Sequence, residues 1–211
     1  MLPRDAEYGV KFFRDIRTWL VAEGPWRATF TGYDAEYKVK GTHPMGGAVS
    51  LLWHAQAGPV FAATMNQYTL IEAPNMQSNS RKYLMSGTPR VEMVQYRTIY
   101  SNLDDLDTDI TYTKEKDTHN FHVNTHLVDI DQQTPIQGSI PVSMDYVYSK
   151  QGVTIKMDHC PYSAYMVLPV IASLSDVTEV GSKNMRIRKE NGTLEISCVN
   201  GHLKVAPTDA D

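Results

Sequence analysis

The chain is 211 residues long, 42% apolar and 21% charged, with a formal charge of −4 when its histidines are neutral. That length supplies one domain with a sizeable core, and the composition excludes a disordered chain. Val, Ile, Thr and Tyr outnumber Ala, Leu, Glu and Lys by 59 to 47, so side chains suited to a pleated sheet outweigh the best helix formers, which excludes helical bundles and long coiled coils.

Residues 1–9 carry no periodic pattern. In 11–22 the apolar residues Phe12, Phe13, Ile16, Trp19 and Leu20 fall at i, i+1, i+4, i+7 and i+8, with Arg14, Asp15, Arg17 and Thr18 opposite. This spacing predicts a short helix stopped by Glu23-Gly24-Pro25, although a strand–bend–strand path fits the same residues. Short strands punctuated by turns follow: Trp26–Thr31, Tyr37–Lys40, Ala48–His54, Val60–Met65, Val91–Tyr100, Asp109–Lys114, Asn120–Asp131, Pro141–Ser149, Val153–Asp158 and Ala164–Leu168. Ala48–His54 and Val60–Met65 flank a five-residue turn containing Gly58-Pro59 and read as a hairpin. Residues 75–87 are polar and read as a long exposed loop. At the C-terminal end, Met185–Lys189, Thr193–Val199 and His202–Val205 are separated by Asn191-Gly192 and Asn200-Gly201, pairs that favour type I′ corners, and so read as a three-strand meander. The expected fold is all-β: an antiparallel two-sheet β-sandwich of about a dozen strands with one short N-terminal helix, residues 1–211 forming a single domain. No motif repeats at constant spacing, which argues against a propeller or solenoid.

A pI near 6.0 and the absence of a clustered basic patch exclude nucleic acid as the expected partner. Arg186-Ile187-Arg188-Lys189 reads as a solvated strand end, and the acidic run Asp104, Asp105, Asp107, Asp109 as a charged loop lacking a calcium-loop pattern. No window approaches the ~20 apolar residues of a membrane span, and Met1–Val10 does not read as a secretory signal. Cys160 and Cys198 are too few for a disulfide scaffold and form no CxxC pair; they read as two buried thiols, with a bridge possible only if their strands are neighbours.

The densest group of chemistry-bearing residues is Asp117, His119, His122, Asn124 and His126. In a strand, period two places His122, Asn124 and His126 on one face, opposite Phe121, Val123 and Thr125. His122 and His126 then lie ~13 Å apart, too far to share a zinc ion at ~2.0–2.1 Å per bond. A metal-dependent enzyme built on His119 and His122 requires a bend between them, and the preferred reading is a solvated histidine face with no metal and no cofactor. Trp53 and His54 end an apolar strand, and Tyr33 and Tyr37 lie near a turn. All four are candidate carbohydrate-binding residues, the aromatic rings serving as stacking platforms, while His43 sits at a possible rim. The sequence contains no G-x-S-x-G elbow, H-E-x-x-H pair or glycine-rich phosphate loop. Asp158-His159-Cys160 does not imply a reactive Cys–His pair, because adjacent strand residues point to opposite faces. Asn191-Gly192-Thr193 matches a glycosylation triplet but is equally a turn.

Residues 9–21, the following Gly24-Pro25-Trp26-Arg27-Ala28-Thr29-Phe30-Thr31, and Gly46-Gly47-Ala48-Val49-Ser50-Leu51-Leu52-Trp53-His54 resemble the β-sandwich region of heparinase II/III-like and chondroitin-lyase-like polysaccharide lyases. The resemblance covers about the first third of the chain. It implies antiparallel sandwich domains paired with an α-helical toroid, elimination next to a uronic acid, and acid and base residues supplied largely by the helical part. The heparinase-like branch also carries a metal-bound His-x-His-x-Asp-like stretch. Its nearest counterparts here, Asn120-Phe121-His122 and Thr42-His43-Pro44, do not match it, so no catalytic residue transfers. The expectation is the sandwich portion of a longer periplasmic or secreted enzyme. It is non-catalytic alone, partnered by a helical catalytic domain in the same chain, and directed at an acidic polysaccharide or other glycan. The alternative is an independent carbohydrate-binding or adhesion module.

Overall fold

The computed structural model describes residues 9–32, 45–63, 87–158 and 163–205, together with the backbone of 69–71 and 76–78. The chain is all-β. Five strands, β1 (Val10–Phe13), β2 (Thr18–Glu23), β3 (Trp26–Thr31), β4 (Ala48–His54) and β5 (Gly58–Ala62), form an antiparallel meander in chain order. After the short ribbon of β6 (Thr69–Ile71) and β7 (Met76–Ser78) come β8 (Arg90–Gln95) and β9 (Thr98–Ser101). A second meander follows, built from β10 (Asp109–Glu115), β11 (Thr118–His126), β12 (Pro141–Ser149) and β13 (Gly152–Met157). β14 (Ala164–Val167) pairs with β8, giving the order β14-β8-β9, and β15 (Val177–Val180), β16 (Asn184–Lys189) and β17 (Gly192–Ser197) form the last sheet.

Period-two alternation builds the core. β12 buries Val142, Met144, Tyr146 and Tyr148 on one face and turns Ser143, Asp145 and Val147 outward, and β11 likewise buries His119, Phe121, Val123 and Thr125. The two meanders meet through an aromatic cluster. Phe30 stacks on Phe121 at 4.6 Å and meets Tyr146 and Tyr148 edge-on at 4.9 and 5.6 Å, while Trp19 lies 5.7 Å from both Tyr112 and Phe121. Val91, Met93 and Tyr100 from the β8–β9 hairpin, and Ile187 and Leu194 from β16 and β17, join the same core.

Two features fix the chain crossing between the meanders. Gly46 and Gly47 both have positive φ, 66° and 71°, and a Cβ on Gly46 would lie 1.5 Å from the Asn102 carbonyl oxygen. No other residue fits there. Fully buried Asn102 accepts from the Val91 N–H and donates to the Gly46 carbonyl, both at 2.8 Å, joining β8 to the start of β4.

The two-sheet sandwich with an N-terminal helix is not what forms. The described strands assemble into several antiparallel sheets, and 11–22 is a hairpin: β1, a 3-10 turn at Arg14–Ile16, and β2, with Arg17 left-handed at φ 39°. Helical spacing arose there because the hairpin brings Phe12 opposite Trp19, stacked at 4.1 Å, seven residues apart in sequence. Val91–Tyr100 is likewise a hairpin, its corner at Tyr96-Arg97. The C-terminal corner is Glu190-Asn191, with neither residue at positive φ, and the third strand of that sheet is β15 rather than His202–Val205. Within 75–87, Met76–Ser78 is a strand, and the expected strand Tyr37–Lys40 lies outside the described residues.

Candidate functional site

The three histidines of β11 are held separately. His119 is 2% exposed and faces the core; its Nδ1 lies 2.8 Å from the Tyr112 hydroxyl and its Nε2 3.0 Å from Glu23 on β2. One tautomer satisfies the whole chain, with Tyr112 donating to Nδ1 and Nε2–H donating to Glu23. Burial, and secondarily the Glu23 carboxylate, push the Tyr112 hydroxyl above its usual pKa, so the phenol keeps its proton. A Tyr–His–Glu chain of this kind elsewhere serves proton transfer; here it points inward and clasps the two meanders together. His122 points outward to Asp145 at 2.7 Å, and His126 lies 3.4 Å from the buried carboxylate of Asp105. His119 and His122 therefore sit on opposite faces, and among the described residues no group of three or more His, Cys, Asp or Glu could hold a metal ion.

The outward faces of the two meanders differ in charge. On β10–β13, register aligns Thr111, His122, Asp145 and Lys156 in one row across the sheet, with Asp109, Glu115 and Asp158 nearby, so carboxylates predominate. On β1–β5 the outward rows include Lys11, Phe13, Thr18, Leu20, Arg27, Thr29, Thr31, Ser50, Leu51 and Trp53, together with Pro59, Ala62 and the buried Ala22 and Ala48, and no carboxylate among the described residues. This second face is the candidate site. A bulge in β4 leaves Ser50 as an extra residue between Val49 and Leu51. The bulge places its hydroxyl 2.6 Å from that of Thr29 and 3.2 Å from that of Thr31, the kind of re-aiming that bulges produce. Arg27 and Trp53 are directly opposed across β3 and β4, and Arg27 Nη1 donates to the Gly24 and Trp26 carbonyls at 2.7 Å each. A half-buried indole, the Lys11 ammonium and a triad of hydroxyls can stack on a sugar ring, pair with an anionic group and bond its hydroxyls.

Of the residues singled out from sequence, Trp53 lies on this face. His54 turns to the opposite side, where its ring meets Trp26 edge-on at 4.5 Å and its Nδ1 accepts the N–H groups of Gln56 and Ala57. Burial lowers its pKa from 6.5. Tyr33, Tyr37, His43 and Cys160 lie outside the described residues, and Cys198 is a free thiol. Sequence reasoning missed Arg27 and the Thr29–Ser50–Thr31 cluster. Alternation along β3 was readable and put Arg27, Thr29 and Thr31 together, but the bulge that delivers Ser50 to them was not.

Residues 10–211 match the family described as the ulvan lyase C-terminal domain. The chain belongs to that family. One curated relative, the broad-specificity ulvan lyase of Formosa agariphila, is 30% identical over 202 residues, which is 92% of this chain and 31% of that protein. The chain thus spans about a third of the length of the relative it matches. No solved structure matches it. The relation to polysaccharide lyases stands, and the family found is the ulvan lyase one rather than the heparinase II/III-like branch.

Proposed function

We propose that this family member is the accessory β-domain of a larger polysaccharide lyase acting on an acidic polysaccharide, ulvan being the one its relative is named for. On this reading it is non-catalytic in isolation and completes the polysaccharide groove with the outward face of β1–β5. The observation that carries the proposal is that face: the Trp53 indole, the Lys11 ammonium and the Thr29–Ser50–Thr31 hydroxyls. The match to a C-terminal family supports it. So does the inward commitment of His119 and Tyr112, the groups best suited to proton transfer. Tyr33 and Tyr37 remain proposed glycan contacts in addition to Trp53, whereas the His54 Nδ1 is engaged by its own turn. An acidic polysaccharide substrate places the enzyme in the periplasm or outside the cell. An independent binding or adhesion module would use the same face, and differs in that no longer chain carrying it degrades the glycan it binds.

The test is ultraviolet absorbance of unsaturated uronate products. The isolated chain is expected to give no increase over buffer on ulvan, while a longer chain containing it gives sustained turnover. Turnover by the isolated chain would place the catalytic residues here and overturn the accessory role.

A further inference from the structure

We propose that the hairpin of β1, the Arg14–Ile16 turn and β2 is the surface on which the preceding domain of the longer lyase docks. The inference rests on the reading that this chain is one domain of such an enzyme.

Exposed apolar side chains gather on this hairpin: Phe12 is 42% exposed, Ile16 55% and Leu20 39%. Isolated exposed hydrophobics are ordinary, but here Phe12 lies on the core-side row with Trp19, Leu20 on the outward row with Lys11 and Ile16 in the turn between the strands, so the hairpin offers apolar side chains on both sides and at its tip to a partner that wraps it. Phe12 is already half-organised by its stack on Trp19, and Lys11 sits over the Phe13 ring at 4.6 Å. β1 is also the terminal strand of its sheet, so its outer edge has no ladder partner among the described residues. Open edges of this kind are normally covered or blunted.

Position decides the occupant. The Gly9 carbonyl accepts the Ala22 N–H at 3.0 Å, and a Cβ on Gly9 would lie 3.4 Å from His119 Cε1. The chain leading into β1 is therefore pinned to β2 and laid over the Glu23–His119–Tyr112 clasp. The family is a C-terminal one, and about two thirds of the relative lies outside the matched part. The bulk of such an enzyme is reached through this strand, and the hairpin beside it is where that bulk comes to rest. The candidate glycan face starts at the same place, since Lys11 and Leu20 begin the row that continues to Thr29 and Leu51. A groove leaving the preceding domain would cross the hairpin directly onto that row.

The experiment is hydrogen exchange read by mass spectrometry on the longer lyase, comparing Ile16→Asp with Val199→Asp, a control at a residue that is 84% exposed. Peptides covering 10–22 are expected to exchange slowly in the native enzyme. Ile16→Asp should speed their exchange by about tenfold or more, the equivalent of losing one buried apolar side chain, and Val199→Asp should leave it unchanged. Fast exchange of 10–22 in the native enzyme, or equal effects of the two substitutions, would overturn the inference. A concentration-dependent dimer that protects the same hairpin would also overturn it, in favour of a second copy. Turnover of ulvan is read on the same samples. A protected hairpin without turnover counts against the lyase reading alone, and turnover with an unprotected hairpin counts against the docking alone.

Discussion

Two buried or half-buried rings show how residue-level chemistry separates stability from function in this domain. Tyr148 is fully buried, and its hydroxyl has no hydrogen-bond partner among the described residues. Desolvation, reinforced by Tyr146, drives its pKa well above 10.0, so the hydroxyl stays protonated and unused. Tyr148→Phe removes an unsatisfied polar atom while keeping the ring that meets Phe30, and should be neutral or raise stability by about 1 kcal/mol in urea unfolding; a clear loss would mean the hydroxyl has a partner. His54 works through its unprotonated Nδ1. Its folded pKa lies below the unfolded 6.5, so the folded state binds fewer protons between the two values. Its contribution is fully present above pH 6.5 and is lost as pH falls through the folded pKa, when protonation also removes the acceptor for Gln56 and Ala57. Unfolding curves taken on both sides of pH 6.5 should show wild type losing stability relative to His54→Gln on the acid side; parallel pH profiles would show that the imidazole does not matter.

At the scale of elements, the β8–β9 corner holds both Tyr96 and Arg97 at positive φ, 48° and 71°. These are the conformations that Asn-Gly adopts most readily, and non-glycine residues pay roughly 1–2 kcal/mol each there. Replacing Tyr96-Arg97 by Asn-Gly should raise the unfolding midpoint without altering glycan affinity, and an unchanged or lowered midpoint would show that the native side chains contribute contacts that offset the strain. The same element explains what was legible from sequence. Trp26–Thr31, Ala48–His54 and Pro141–Ser149 have the bounds that alternation gave, because each has one face buried against the core. Tight corners made of ordinary residues left no mark, so Val91–Tyr100 read as one segment. Conversely, Asn191-Gly192 advertised a corner whose central residues turned out to be Glu190-Asn191. The N-terminal hairpin was misread as helical because cross-strand pairing over a 3-10 turn mimics helical spacing from Phe12 to Leu20. The candidate site was legible only in part: Trp53 was visible, but the cationic and hydroxyl groups around it depend on strand order and on a bulge.

At the scale of the whole molecule, the two meanders share one aromatic core and expose faces of opposite character. On the proposed reading, an acidic polysaccharide is repelled by the carboxylate-rich face of β10–β13 and received by the face of β1–β5. The central claim is that this second face binds the glycan, and the most direct measurement is calorimetric titration of the domain with ulvan at low and high salt, wild type against Trp53→Ala. The account predicts saturable binding that weakens as salt screens Lys11, and a loss of about fivefold to tenfold in affinity for Trp53→Ala, with the fold retained. Binding unaffected by both salt and Trp53→Ala, or no binding by the folded wild-type domain, would contradict it.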